Sequence, residues 1–212
     1  MNSLAELFGE STGGGSPSGD INGAAKEIAS ANIIYYMKGI EGYAPYIYRD
    51  SVGVPTLGYG MTGNELNGVP QPLGEDQATI HLRDNTNRLY YKPIYDNIRK
   101  NGITPLQREM DAFVSFAYNN GVGGFLDSTL YKLYKQGIRD ERIHAQFKRC
   151  VHAGSEVLQG LVRRREEEWR IFSGQGKVNG YYSRPYINYI NSRGNPTSRL
   201  VETNGGYGAA PY

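Results

Sequence analysis

The chain has 212 residues, 39% of them hydrophobic and 21% charged, enough for one sizeable core and too apolar for a charge-driven disordered protein. Its net charge is only +2, which argues against a dedicated nucleic-acid binder. A single cysteine, Cys150, excludes an internal disulfide, and the three histidines, His81, His144 and His152, are too scattered to form a metal site. No apolar run reaches the ~20 residues of a membrane span. The N-terminus lacks the basic start and apolar core of a secretory signal.

Residues 1–24 read as a flexible segment, with a GGGSPSG stretch of linker composition and a short apolar piece at Leu4, Leu7 and Phe8. Ile33, Ile34, Met37 and Ile40 fall near one helical face, which predicts a helix over about 25–40. Tyr46–Tyr48 and Thr56–Tyr59 read as short strands, and Arg49–Gly53 forms the turn between them. The spacing predicts helix again from Glu75 to about Lys100, with Pro93 as a kink or break. Thr104-Pro105-Leu106-Gln107 reads as a helix start, with Thr104 as cap, Pro105 in the first position and Gln107 closing a capping box. Leu106, Met110, Phe113, Val114 and Ala117 then mark a buried helix that ends at Asn120-Gly121-Val122-Gly123-Gly124. Ser128 or Thr129 caps the next helix, through Tyr134, and helices follow near 139–151 and 160–173. Residues 175–212 are rich in Tyr, Asn, Gly and Ser and read as a tail. The body is α+β and mostly helical, with one early hairpin.

Two acids stand out. Glu41 ends the first helix, where partial burial and the negative end of the helix dipole both raise a carboxyl pKa, as a general acid requires. Asp50 follows nine residues later in a solvated turn that favours its ionised form. Thr56 lies six further on, where its hydroxyl can share a water with Asp50. Two carboxyls in different environments suit glycoside hydrolysis. On local chemistry alone, a turn-forming Asp and a solvent-facing Glu are the commoner readings. His144 and His152 read as surface residues, Cys150 as a small buried residue and Trp169 as core.

The order of motifs is more specific. Glu41-Gly42, Tyr48-Arg49-Asp50, Gly53, Thr56 to Gly60 and Thr62 resemble the N-terminal signature of the phage-type lysozymes, glycoside hydrolase family 24. Gln107 to Gly124 resembles the family's core helix and its Gly-rich exit, Ser128-Thr129-Leu130 follows, and Val157 to Glu166 is similar to its C-terminal motif. The chain departs from many relatives at Gly154-Ser155-Glu156, at Gln159 and at Phe147.

The resemblance implies a lysozyme-like fold over 25–174, with a hairpin lobe and a helical lobe. It implies a muramidase that cuts the β-1,4 bond between N-acetylmuramic acid and N-acetylglucosamine without metal or cofactor. Glu41 matches the proton donor, Asp50 the second carboxylate and Thr56 the hydroxyl that positions water. Tyr118 and Ser128 match positions lining the saccharide cleft; a core-edge aromatic and a helix cap are the alternatives. Among Arg163, Arg164 and Arg165 one is expected to orient Glu41, and two are expected to pair within the helix with Glu166 to Glu168. Two other functions stay open, a virion structural or wall-binding protein and a lytic transglycosylase. The expected partner is the peptidoglycan glycan strand, with phage virion proteins as partners of the tails. The expected location is the host cytoplasm before release to the wall, or the virion.

Overall fold

The computed structural model describes residues 20–153, 156–181, 186–203 and 206–209. The linker-like GGGSPSG stretch and Leu4, Leu7 and Phe8 lie outside the described residues, as do Gly154 and Ser155. The fold is α+β and mostly helical. It divides into two compact units: a hairpin unit with residues 34–84 and those from Asn179 onward, and a helical unit with residues 19–33 and 85–178.

Helix α1 runs Ala31–Glu41, starting six residues later than its periodicity predicts. The reason is competition for backbone donors. The amide of Ala25 bonds to the Pro105 carbonyl, that of Lys26 to Gln107 Oε1 and that of Ala29 to Asn87 Oδ1. Ser30 then caps the helix, its Oγ accepting from the Ile33 amide. Ile33, Ile34 and Met37 are buried as expected, but Ile40 is exposed. Tyr35, Tyr36 and Lys38 are buried too, so the middle of α1 is covered on all sides.

In the hairpin unit, β1 (Ala44–Arg49), β2 (Pro55–Gly58) and β3 (Met61–Thr62) form an antiparallel sheet in that order. Tyr48 faces Thr56 across β1–β2, and Thr56 faces Thr62 across β2–β3. The third strand was not legible in the sequence, because two residues carry no period. The tail contributes a second antiparallel sheet, β4 (Tyr186–Ile190), β5 (Pro196–Thr203) and β6 (Gly206–Ala209). Its first strand joins the unit through Tyr43: the Tyr43 amide bonds to the Asn188 carbonyl and the Ile190 amide to the Tyr43 carbonyl, both at 2.8 Å.

The run from Glu75 to Lys100 is helical throughout. It comprises α2 (Glu75–Asn85), a π-helical turn at Thr86–Tyr91 and α3 (Lys92–Lys100). Pro93 does not break it. The widened turn lets the Lys92 amide reach the Asn87 carbonyl, and Pro93, with no N–H to place, follows at the start of α3.

In the helical unit, α4 (Gln107–Asn120) is the central element. It begins two residues later than predicted, and Glu109 rather than Gln107 closes its first turn by accepting from the Leu106 amide at 3.1 Å. Gln107 instead bonds to Lys26, Tyr91 and Asp111. Gly121, at φ +76°, ends α4. Short helices α5 (Val122–Asp127), α6 (Thr129–Lys135) and α7 (Glu141–Phe147) and the long α8 (Gln159–Ser173) surround it. Phe113 anchors the core, with ring centroids 4.7 Å from Phe125, 4.7 Å from Tyr134 and 5.5 Å from Phe172.

Candidate active site

Glu41 is the last residue of α1 and is half-buried. Gly42 follows at φ +73°, where a Cβ would lie 3.1 Å from the Asn188 carbonyl oxygen and 3.1 Å from Ile190 Cδ1. Only glycine fits a left-handed position beneath the tail strand. One turn before Glu41, Lys38 is fully buried, with Nζ 2.8 Å from Glu75 Oε1. The same carboxylate oxygen accepts from Tyr59 Oη at 2.6 Å and Thr79 Oγ1 at 2.8 Å. Sequence reasoning missed this network. Its signal was a lysine inside an otherwise apolar helical face, meaningful only once a buried acid was known to meet it.

Asp50 occupies the turn after β1, half-buried. Its Oδ1 accepts from the Val52 amide at 3.0 Å and the Val54 amide at 2.8 Å, which ties the carboxylate to the turn. Arg49 clasps the same turn from outside, Nη1 donating to the Gly53 carbonyl at 2.7 Å. Thr56 is buried, and its Oγ1 donates to the Val54 carbonyl at 3.1 Å. With its proton committed, that oxygen can only accept from a third group.

Tyr48 links these residues. It is half-buried and pairs with Thr56, and its phenol pKa is pushed up by burial, then by the charges of Asp50 and Glu41. Both acids therefore act on one phenol within the hairpin unit. Tyr48 was legible only as part of a motif.

Tyr118 and Ser128 belong to the helical unit. Tyr118 is half-buried in the last turn of α4, its ring 5.1 Å from that of Tyr90 and 5.9 Å from the Arg164 guanidinium carbon. Ser128 caps α6: its Oγ accepts from the Tyr131 amide at 3.1 Å and donates to the Phe125 carbonyl at 2.6 Å. Arg164 and Arg165 pair within α8, as expected for two of the three arginines. Arg164 Nε lies 3.3 Å from Glu168 Oε1 and Arg165 Nε 2.7 Å from Glu168 Oε2. Burial pushes the Glu168 carboxyl up, and the two guanidiniums and Ser115 oppose that shift. Arg163 is exposed.

One surface expectation is corrected. His144 is buried, with Nδ1 and Nε2 each 2.8 Å from a carboxylate, Glu141 and Glu166, and its ring stacks on Trp169 at 4.8 Å. Both ring nitrogens thus meet a carboxylate inside the fold, one from the start of α7 and one from α8. Trp169 is core, as expected. The side chain of His152 lies outside those described. Cys150 is half-buried, and burial raises its thiol pKa, the opposite of what a nucleophile needs. Among the described residues no group of three or more His, Cys, Asp or Glu is placed to hold a metal ion, and no helix is long and apolar enough to cross a membrane.

These features have counterparts in known proteins. The chain is 34% identical over 146 residues to an endolysin of Bacillus phage PZA, covering 66% of this chain and 53% of that protein. It is 31% identical over 161 residues to a SAR-endolysin of Escherichia phage Mu, covering 73% of this chain and 84% of that one. An endolysin of Bacillus phage B103 is 32% identical, with 75% of this chain and 60% of that protein aligned. The chain thus spans between half and two thirds of the length of the two Bacillus phage relatives. Among solved structures, the endolysin from Escherichia coli O157:H7 phage FAHEc1 superposes with a TM-score of 0.60 at 25% identity, over 73% of this chain and all of that one. The muramidase domain of SpmX from Asticaccaulis excentricus shares the fold, with a TM-score of 0.56 at 23% identity over 70% of this chain and 97% of that one. Residues 38–168 match the Phage lysozyme family, more than half of the chain and the whole span from Lys38 to Glu168, so this chain belongs to the phage lysozyme family.

Proposed function

We propose that this chain is a peptidoglycan hydrolase that cleaves the β-1,4 bond between N-acetylmuramic acid and N-acetylglucosamine. Family membership supports a peptidoglycan-hydrolysing enzyme, and several relatives bear the name endolysin. The observation that supports the finer reading is that the hairpin unit holds all three residues, with Glu41 ending α1, Asp50 tied into the β1–β2 turn and Thr56 on β2 opposite Tyr48. In this reading the Glu41 carboxylic acid gives its proton to the glycosidic oxygen as the bond from the anomeric carbon breaks. A water adds to that carbon and loses a proton to Asp50. Thr56 Oγ1, already donating to Val54, accepts from the same water and so fixes the direction of its lone pair. The expected stereochemical course is inversion. The enzyme acts in wall degradation by a phage, during host lysis or from the virion during entry.

The test is Glu41→Gln on purified cell walls. Loss of a general acid should lower the clearing rate by ~10²–10⁴-fold in a folded protein. Full activity in that variant would refute the assignment. Mass analysis of the products separates hydrolysis from lytic transglycosylation, because only the latter leaves 1,6-anhydro ends.

A further inference from the structure

The part of the chain beyond the family match builds a feature next to the candidate active site. The turn between β4 and β5 is closed by its own side chain: Asn191 Oδ1 accepts from the Arg193 amide at 2.9 Å and the Asn195 amide at 3.1 Å. The Gly194 amide bonds back to the Asn191 carbonyl at 2.8 Å. This turn is seated directly on β1. A Cβ at Gly194 would lie 2.9 Å from Tyr48 Cδ2 and 3.1 Å from the Arg49 carbonyl oxygen. Between the turn and the strand is an open hollow of about 420 Å³, lined by Ile47, Tyr48, Arg49, Pro55, Ser192 and Arg193.

The lining has a definite chemistry. Two arginines and a serine line it together with a tyrosine, a proline and an isoleucine, and no acid lines the hollow. Arg49 is held in place by Gly53, and Arg193 projects from a turn fixed by Asn191. Among the described residues no carboxylate is paired with either guanidinium. A guanidinium presents a planar fork that matches an oxyanion with two oxygens, and one held in place loses less entropy on binding. The hollow shares Tyr48 and Arg49 with the hairpin that carries Asp50, so a polymer lying along that hairpin passes it.

We propose that this hollow is a binding subsite for an oxyanion carried by the wall polymer, built jointly by the tail turn and β1. The proposal rests on the peptidoglycan reading above, which supplies two sources of oxyanion: carboxylates of the peptide side arms, and phosphates of polymers attached to the wall. The carboxylate is the source carried on the strand being cut.

The experiment measures binding, not turnover, in the Glu41→Gln background. Cosedimentation with purified walls is compared for Glu41→Gln alone and for Glu41→Gln with Arg193→Glu or Arg193→Lys. Two substrates are used: peptide-bearing walls stripped of phosphate polymer, and unstripped walls. Arg193→Glu should weaken binding to stripped, peptide-bearing walls by about tenfold, the size of one charge-assisted pair. Arg193→Lys should fall between. A loss confined to unstripped walls supports the subsite with phosphate as its ligand. Equal binding of all three proteins to every substrate overturns the proposal. Clearing by the wild-type chain against Glu41→Gln tests the parent reading separately, so either idea can fail alone.

Discussion

Tyr48 and Thr56 face each other across the β1–β2 ladder, and this pairing sets the candidate active site in register. Thr56 is reached from one side by the Val54 carbonyl, and Tyr48 feels both Asp50 and Glu41. A slip of one residue in this short ladder would turn Thr56 to the opposite face. The turn is protected against that slip by five contacts on Asp50 and Arg49, all local to residues 49–54.

Thr56→Val tests the hydroxyl with little change of shape. The Val54 carbonyl keeps the Asp50 amide as a donor at 3.0 Å, so no buried acceptor is orphaned. Stability should change by less than ~1 kcal/mol, while wall clearing falls by ~10²-fold through misplacement of water. Chemical denaturation and turbidity assays on the same preparation check both halves. An active, stable Thr56→Val protein would remove Thr56 from the mechanism.

Lys38→Met leaves the buried Glu75 carboxylate without its cation. Breaking one side of such a pair costs ~3–5 kcal/mol, more than replacing both partners. Lys38→Met with Glu75→Gln should therefore be less damaging than the sum of the two single changes. Urea titrations of the three variants give the coupling directly. Strict additivity would mean that the pair contributes nothing as a pair.

The acid limb of stability should depend on Glu166. Its hydrogen bond to His144 holds the carboxyl below its ordinary value of 4.5. A carboxyl depressed in the folded state takes up its proton more readily in the unfolded chain. Its stabilisation is thus fully present above the ordinary value and is lost as pH falls through the lower, folded one. Glu166→Gln should lower the melting temperature at neutral pH, and that deficit should shrink as the pH drops below 4.5. A deficit independent of pH would show that packing, and not the charge, is responsible.

Ser128→Ala separates a cap from a sugar contact. The hydroxyl already accepts from Tyr131 and donates to Phe125, which leaves one lone pair for any further partner. The expected result is a loss of ~1 kcal/mol in stability with KM for walls changed by less than about twofold. A large rise in KM at unchanged stability would instead place Ser128 against the saccharide.

Features whose causes lie within about ten residues were legible along the chain. Hydrophobic period located most of the helices. Gly121 marked the end of α4, Ser128 the start of α6, and Arg49–Gly53 the hairpin turn that carries Asp50. The motif order around Glu41, Asp50 and Thr56 pointed to the family that residues 38–168 match. The remaining features depend on contacts between residues far apart in the chain. Ser30 caps α1 because the residues before it are drawn away by Pro105, Gln107 and Asn87. Lys38 and His144 are buried because acids from distant positions, Glu75 and Glu166, reach them. The tail turn meets Tyr48 because β4 pairs with Tyr43. A buried charge is tolerable only when its partner arrives, and the partner's address is set by the fold, not by neighbouring residues.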